Sequence, residues 1–202
     1  MELSKGLELL AKDIFCVKNF LFPETCDLLV STFSKENLKE SERPGIFGGP
    51  GVSENETFSI SGFEKIGIAN NDKNINLATD IFTGTLTNIE KTLSNIFNKN
   101  LILKSYSYSH MKEGSRNELH FDNYCEKYLE DYSALLYLTD SYSGGSLNFP
   151  EQGLLIKPKK GTLIAFIGTE NLKHEVQEVM GGDRVNIICF LVEKKEVADG
   201  TI

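Results

Sequence analysis

The segment "ELHFDN", from Glu118 to Asn123, holds the residue types best suited to chemistry in this chain. The sequence contains only three histidines, and one of them, His120, stands two residues before Asp122. In a β-strand, side chains at i and i+2 leave the same face, so this imidazole and this carboxylate would point the same way. The pair is either a surface coincidence or two of the three ligands of a metal site.

His174, in "NLKHEVQEV", is the candidate for the third ligand. Divalent iron in oxygenases is held by two histidines and one carboxylate on one face, which leaves the opposite positions open. A His-x-Asp pair with one distant histidine is weak evidence for such a site. The remaining histidine, His110, is interpreted as a structural residue and not as a ligand.

Arg184 strengthens the metal interpretation, because it follows His174 by ten residues across the turn "MGGD". A hairpin here would place both residues on neighbouring strands, and five residues at about 3.3 Å each would separate them by roughly 16 Å. A short dicarboxylate could span that gap, chelating the metal at one end and forming a bidentate ion pair at the other. The two side chains share a face only if the hairpin loop has an odd number of residues.

The elements that must position these residues are mostly short strands. About eight strand-like runs separated by turn residues follow Leu101, which suggests a sandwich, barrel or jelly roll. Before them, "DIFCVKNFLF" is typical of a strand, and helices are predicted from Pro23 and from Ile75 to Phe97. We therefore predict a mainly β fold with supporting helices, in which an N-terminal helical layer packs on a C-terminal jelly roll.

The spacing of His120, Asp122, His174 and Arg184 resembles the His-x-Asp…His…Arg pattern of the 2-oxoglutarate- and Fe(II)-dependent dioxygenases. The prolyl hydroxylase (prolyl 4-hydroxylase-like) branch is similar in several further stretches, and the similarity is weakest from Ser34 to Asn74. These stretches are "KNFLFPETCDLLV", "GSRNELHFDN", "LLYLTDSYSGGSLNFPEQGLLIKPKKGTLIAF" and "HEVQEVMGGDRVNIICFL".

This resemblance implies a double-stranded β-helix, the oxygenase form of the jelly roll, in a single domain spanning residues 1–202. Residues 1–100 would form the N-terminal strand, the helices and a mobile loop, and residues 101–193 would form the jelly-roll core. No catalytic residue beyond the metal ligands is implied. The co-substrates would be 2-oxoglutarate and O2, and ascorbate is a candidate auxiliary reductant.

The resemblance also implies a role for each site residue. His120, Asp122 and His174 would ligate Fe(II), and Arg184 would hold the far carboxylate of 2-oxoglutarate. Tyr137, in "LLYLTD", matches a family tyrosine whose hydroxyl shares that carboxylate, although a buried aromatic of the core is the alternative interpretation.

One family contact has no counterpart at its usual position. A second tyrosine normally stands three residues before a glycine, on the strand that leads to His-x-Asp. Counting back from Gly114 gives Met111. Tyr106 and Tyr108 are alternative donors after a loop shift, and the contact is left unassigned.

The expected reaction is hydroxylation of a prolyl residue in a peptide or protein, with release of succinate and CO2. An intact Asp122 favours hydroxylation, because halogenating relatives lack this carboxylate. Nucleic-acid demethylases of the superfamily carry a second arginine where this chain has Phe190. The net charge of −8 also argues against a nucleic-acid partner.

Two alternatives to prolyl hydroxylation stay open. One is the same chemistry on a free amino acid or other small molecule, and the other is a non-catalytic module that binds metal or ligand.

The remaining expectations concern access and location. The Gly/Pro-rich loop from Ser41 to Phe58 is a candidate lid over the peptide, and a disordered segment is the alternative. Arg116 and Tyr124 are candidates to line the peptide's path. No apolar run resembles a signal peptide or a membrane span, so a cytoplasmic protein without a membrane partner is expected.

The four cysteines lack Cys-x-x-Cys spacing, so we expect free thiols, with Cys125 a candidate reactive one.

Overall fold

The computed structural model describes residues 6–33, 58–60, 73–122 and 132–194 of the chain. The predicted lid, apart from Phe58, lies outside these residues, as do Tyr124 and Cys125.

Antiparallel strands make up most of the described chain. The strands in chain order are β1 (Leu7–Ala11), β2 (Ile14–Val17), β3 (Phe58–Ile60), β4 (Leu101–Met111), β5 (Asn117–His120), β6 (Tyr132–Tyr137), β7 (Ser143–Gly144), β8 (Leu147–Phe149), β9 (Leu154–Ile156), β10 (Leu163–Ile167), β11 (His174–Val176), β12 (Val179–Gly181) and β13 (Arg184–Glu193). Seven of them form one sheet in the order β1-β2-β10-β6-β13-β4-β3. A second sheet has the order β5-β11-β8-β9, and β12 pairs with β7 in a two-stranded ribbon.

The two larger sheets pack against each other through apolar side chains of their facing strands. Leu135 and Phe166 of the seven-stranded sheet belong to the same buried cluster as Phe149 and Val176 of the second sheet. The rings of Phe149 and Phe166 meet edge to face, with centroids 5.1 Å apart. Two antiparallel sheets packed in this way confirm the predicted jelly roll.

Two helices cover the opposite face of the seven-stranded sheet. Helix α1 (Pro23–Thr32) begins with a proline in its first turn, and α2 spans Lys73–Phe97. Their apolar stripes are buried with side chains of β4, β6 and β13 in one cluster, which includes Leu29, Phe82 and Leu93. The helical layer predicted from the apolar spacing is therefore confirmed. No helix in the described part of the chain has a stretch that is long and apolar enough to cross a membrane.

The predicted hairpin between His174 and Arg184 is wrong. β11 ends at Val176 and pairs with β5 and β8, whereas β13 pairs with β4 and β6 in the other sheet. The chain crosses between the sheets through β12 and Gly182, which has a positive φ of 76°. A Cβ at Gly182 would lie 2.6 Å from the carbonyl oxygen of Ser141, so the crossing requires glycine.

Candidate metal centre

His120 and His174 are brought together by strand pairing. His120 ends β5, His174 begins β11, and the two residues lie directly opposite each other in the antiparallel pair. Their ring centroids are 4.4 Å apart. Asp122 follows two residues after the end of β5, and ligand atoms of the three side chains all lie within 4.8 Å of one another.

Both imidazoles are held through Nδ1, and Nε2 of each faces Asp122, with Nδ2 of Asn117 also 3.4 Å from Nε2 of His120. Nδ1 of His120 lies 2.6 Å from the carbonyl oxygen of Glu118, and Nδ1 of His174 lies 3.1 Å from that of Leu172. With Nδ1 protonated, each ring donates to its carbonyl, and Nε2 is the basic nitrogen. The Nε2 atoms lie 3.5 Å (His120) and 3.7 Å (His174) from the same carboxylate oxygen, Oδ1 of Asp122.

Asp122 is oriented by a residue of the facing sheet. The hydroxyl of Ser133, on β6, donates a short hydrogen bond to Oδ2 of Asp122. Oδ1 remains on the side of the two histidines. A partner that fixes a ligand in this way is a common feature of metal sites, where it sets the direction of the lone pairs.

The charges of Asp122 and His174 suit metal ligation. Burial lowers the pKa of His120, but the hydrogen bond and charge of Asp122 outweigh burial and raise it. Burial raises the pKa of Asp122, yet the hydrogen bond from His120, the charge of His174 and the bond from Ser133 hold it below its usual value. Burial also lowers the pKa of His174. At neutral pH Asp122 is therefore ionised and His174 is neutral, the forms that bind metals.

The donor set fits Fe(II). Two imidazole nitrogens and one carboxylate oxygen meet on one side of the group, which is the facial arrangement of non-haem iron oxygenases. The rings of Phe149 and Phe166 lie beside His174, with centroids 5.4 Å and 4.7 Å from that of the imidazole. This apolar wall keeps water from one side of the site.

Arg184 lies beside Tyr137, as the resemblance implied. Both side chains are almost fully buried, and Nη2 of Arg184 donates to the Tyr137 hydroxyl at 3.1 Å. Burial raises the pKa of Tyr137, although the nearby guanidinium opposes this. A protonated Tyr137 that accepts from the arginine still has its own O–H to donate.

The guanidinium of Arg184 is largely committed to protein acceptors. Nε donates to the carbonyl oxygen of Gly145 at 3.0 Å, and Nη1 donates to Oδ1 of Asn186 at 2.8 Å and to the sulfur of Met111 at 3.3 Å. With the bond to Tyr137, these contacts leave one N–H of Nη2 without an acceptor among the described residues. In this arrangement Arg184 offers a carboxylate one N–H, and not the bidentate pair that we expected from the sequence.

The metal triad and Arg184 open onto one cavity of about 320 Å³ between the two sheets. His120, Asp122 and His174 line the cavity together with Arg184. The side chains of Ser105, Ser107 and Ser109, which alternate along β4, contribute polar groups to its wall. The cavity therefore joins the predicted ligands of the metal and of the co-substrate.

The two alternative tyrosines lie on the wrong face of β4 to reach Arg184. Tyr106 packs on Phe82 of α2, and Tyr108 packs on Phe33 at the end of α1, with ring centroids 5.7 Å and 5.8 Å apart. Arg184 pairs with Met111, which leaves β4 on the opposite face. His110 lies outside the metal cluster, and its Nε2 is 3.3 Å from Asp183.

Three polar residues at the site were missed by sequence reasoning: Ser133, Asn186 and Tyr142. Ser133 and Asn186 are fully buried in apolar strands, and a polar residue inside such a run is the one sequence signal that could have found them. Asn186 also stands at i+2 from Arg184, which places both side chains on one face of β13. Tyr142 lies in a connection without periodicity, so the sequence offers no comparable signal.

Comparison with known proteins agrees with this geometry. Residues 106–192 match the family model of the 2OG-Fe(II) oxygenase superfamily. A search of curated protein sequences returned no match to the chain. The matched segment begins in β4, ends in β13 and contains every residue of the metal triad together with Arg184.

Several solved structures share the fold. A viral collagen prolyl hydroxylase from Paramecium Bursaria Chlorella virus-1, in complex with 2-oxoglutarate, is 18% identical with a TM-score of 0.62, over 92% of this chain and 98% of that chain. A Pseudomonas putida prolyl-4-hydroxylase is 17% identical with a TM-score of 0.59, over 90% and 93%. HygX from Streptomyces hygroscopicus, with nickel and 2-oxoglutarate bound, is 12% identical with a TM-score of 0.61, over 90% and 83%. At these identities the likeness establishes the fold.

The chain contains a 2OG-Fe(II) oxygenase domain over residues 106–192. It is a 2-oxoglutarate-dependent dioxygenase, with Fe(II) and 2-oxoglutarate as its cofactors.

Proposed function

We propose that this dioxygenase hydroxylates a prolyl residue in a peptide or protein. The reaction takes 2-oxoglutarate, O2 and a prolyl C–H bond to succinate, CO2 and a hydroxyprolyl residue. The observation that carries the proposal is one cavity lined by His120, Asp122, His174 and Arg184, with an open groove beside it.

The metal would be held by His120 and His174 through Nε2 and by Asp122 through Oδ1. When bound, Fe(II) supplies the activation of O2 that the protein's own side chains cannot perform. Ser133 keeps Asp122 turned toward the two histidines. The Nδ1 contacts keep the imidazoles in the tautomer that presents Nε2.

The co-substrate would lie between the triad and Arg184. Its 2-oxo acid end would face the metal ligands, and its far carboxylate would meet the free N–H of Arg184 and the O–H of Tyr137. Both groups are buried, so an ion pair made there is weakly screened by solvent. This placement would give the buried guanidinium of Arg184 the carboxylate partner that it lacks among the described residues.

A peptide substrate is supported by the surface next to the cavity. An open groove of about 580 Å³ shares Arg116, Asn117 and Val176 with the cavity wall. Leu119 and Met180 also line the groove, and they are 51% and 64% exposed. A free amino acid would fill only the cavity, whereas an extended peptide could also cover these apolar side chains.

The fold resemblance supports a prolyl target as well, since two of the similar solved structures are prolyl hydroxylases. We also propose that residues 1–202 form a single domain. In support, β1, β2 and β3 from the N-terminal part hydrogen-bond into the same sheet as β4, β6, β10 and β13.

The proposal is tested with paired peptides and mass spectrometry. The Fe(II)-loaded protein is incubated with 2-oxoglutarate, with and without ascorbate, and with proline-containing peptides or the same peptides carrying alanine for proline. We expect a gain of one oxygen on proline, and succinate release that exceeds the alanine control. Succinate release stimulated only by a free amino acid or another small molecule would replace the peptide assignment. Absence of succinate under all conditions would indicate a binding module.

A further inference from the structure

Tyr142 is a buried phenol near Arg184 that the proposed function does not yet use. It lies between β6 and β7, its side chain is 5% exposed, and its hydroxyl oxygen has no hydrogen-bond partner among the described residues. A buried hydroxyl without a partner costs free energy, because water satisfied it in the unfolded chain. Such a group at a ligand site indicates a partner that arrives with the ligand.

The Tyr142 ring and the Arg184 side chain both pack against Gly145. A Cβ at Gly145 would lie 3.1 Å from Cε2 of Tyr142 and 3.1 Å from Cδ of Arg184. Gly145 has a positive φ of 61°, and its carbonyl accepts from Nε of Arg184. Glycine at this position therefore allows the ring to approach the arginine.

The backbone and the ring of Tyr142 are fixed by Lys157. Nζ of Lys157 donates to the carbonyl oxygen of Tyr142 at 2.5 Å and lies 5.0 Å from the ring centroid. Burial raises the pKa of Tyr142 to about 12, against the lowering effect of the Arg184 guanidinium, which lies close to the phenol oxygen but outside hydrogen-bonding geometry. The phenol therefore stays protonated and can donate a hydrogen bond.

Several hydrogen-bond donors around Arg184 have no acceptor among the described residues. Once the contacts to Gly145, Asn186, Met111 and Tyr137 are made, the unused donors are one N–H of Arg184 and the two phenol protons. No carboxylate among the described residues accepts from Arg184. A carboxylate has several lone pairs and can accept from three donors at once.

We propose that Tyr142 donates a hydrogen bond to the far carboxylate of 2-oxoglutarate, beside Arg184 and Tyr137. Tyr142 thereby supplies the phenol that is absent at Met111, from a different part of the chain. The inference rests on the 2-oxoglutarate placement in the proposed function, and it is independent of the peptide substrate.

The test measures binding of two keto acids to the full chain loaded with Mn(II), which replaces iron without turnover. Calorimetric titration compares 2-oxoglutarate with 2-oxobutyrate, which keeps the 2-oxo acid end but lacks the far carboxylate. Tyr142→Phe should bind 2-oxoglutarate about tenfold or more weakly than wild type, because a hydrogen bond to a charged group is lost. The two proteins should bind 2-oxobutyrate equally. Tyr108→Phe, a buried tyrosine on the opposite face of β4, is the control and should match wild type for both ligands.

A second measurement separates this role from a structural one. Without co-substrate the Tyr142 hydroxyl has no partner among the described residues, so Tyr142→Phe should not lower the stability of the Mn(II)-loaded protein toward urea. Equal weakening for both keto acids, unchanged 2-oxoglutarate affinity, or a clear loss of stability would each overturn the inference. Failure of wild type itself to bind 2-oxoglutarate would instead contradict the proposed function.

Discussion

Nη1 of Arg184 donates to Oδ1 of Asn186 at 2.8 Å, two residues further along the same face of β13. Both side chains are almost fully buried, at 1% and 0% exposure. The guanidinium is therefore held in place by its own strand before any co-substrate binds. This hydrogen bond occupies an N–H of Nη1, so an N–H of Nη2 is the one that remains for a ligand.

Asn186→Leu should leave a buried N–H of Arg184 without its acceptor. We expect the free energy of unfolding to fall by about 1–3 kcal/mol, which is the usual cost of such a group. Urea denaturation measures the change. Asn148→Leu is a matched control, because its amide donates to Glu175 at the same 2.8 Å in a half-buried position. Asn148→Leu should cost less, and equal losses in the two variants would contradict a special role for the Arg184–Asn186 bond.

Ser133→Ala should weaken metal binding while leaving the ligand set intact. Without the serine hydroxyl, Oδ2 of Asp122 loses its hydrogen bond and the carboxylate is free to turn. Loss of an outer partner of this kind typically lowers metal affinity about 10- to 100-fold. Titration with Mn(II) measures the affinity, and Ser107→Ala on the cavity wall serves as the control. Wild-type affinity in Ser133→Ala would argue that Asp122 is oriented by other contacts.

Arg184→Lys should raise the concentration of 2-oxoglutarate needed for half-maximal succinate release. Lysine carries the charge but cannot reproduce the planar array of N–H groups that meets Gly145, Asn186 and Tyr137. Arg184→Ala should raise that concentration further. Steady-state kinetics with saturating peptide tests both variants, and an unchanged Michaelis constant in Arg184→Ala would place the co-substrate elsewhere.

Cys16, Cys26 and Cys189 should resist alkylation in the folded protein. All three are free and buried, and burial raises their pKa values, that of Cys26 to about 11. The thiolate is the reactive form, so little of it exists near neutral pH. Iodoacetamide treatment followed by peptide mass spectrometry should leave these residues unmodified until urea is added. Rapid labelling of any of them in native buffer would show that its surroundings open.

Much of the fold could be predicted, because long strands and helices carry clear periodicity. The first of the strand-like runs predicted from Leu101 onward coincides with β4, Leu101–Met111. The apolar stripe from Phe82 to Leu93 marked the buried face of α2. β7 and β12 were missed, because two or three residues rich in glycine give no alternating pattern.

The site was predicted in part, for a similar reason. The types and spacing of His120, Asp122 and His174 were weak evidence by themselves, and Arg184 and the family resemblance grouped them. The structure places the ligand atoms of the three residues together. The hairpin between His174 and Arg184 was wrong, because a local turn looks the same whether the chain returns to its own sheet or crosses to another. The roles of Ser133 and Asn186 depend on which strands are neighbours, and a single sequence does not contain that information.

The central claim is that His120, Asp122 and His174 hold the iron that drives 2-oxoglutarate turnover. The most direct measurement is succinate released from 2-oxoglutarate and O2 by the Fe(II)-loaded protein, with wild type compared to each triad residue replaced by alanine. His110→Ala is the control, because His110 lies outside the cluster and beside Asp183. We predict that wild type and His110→Ala release succinate, whereas each of the three triad variants, still folded by circular dichroism, releases none. Wild-type rates in all three triad variants would contradict the account.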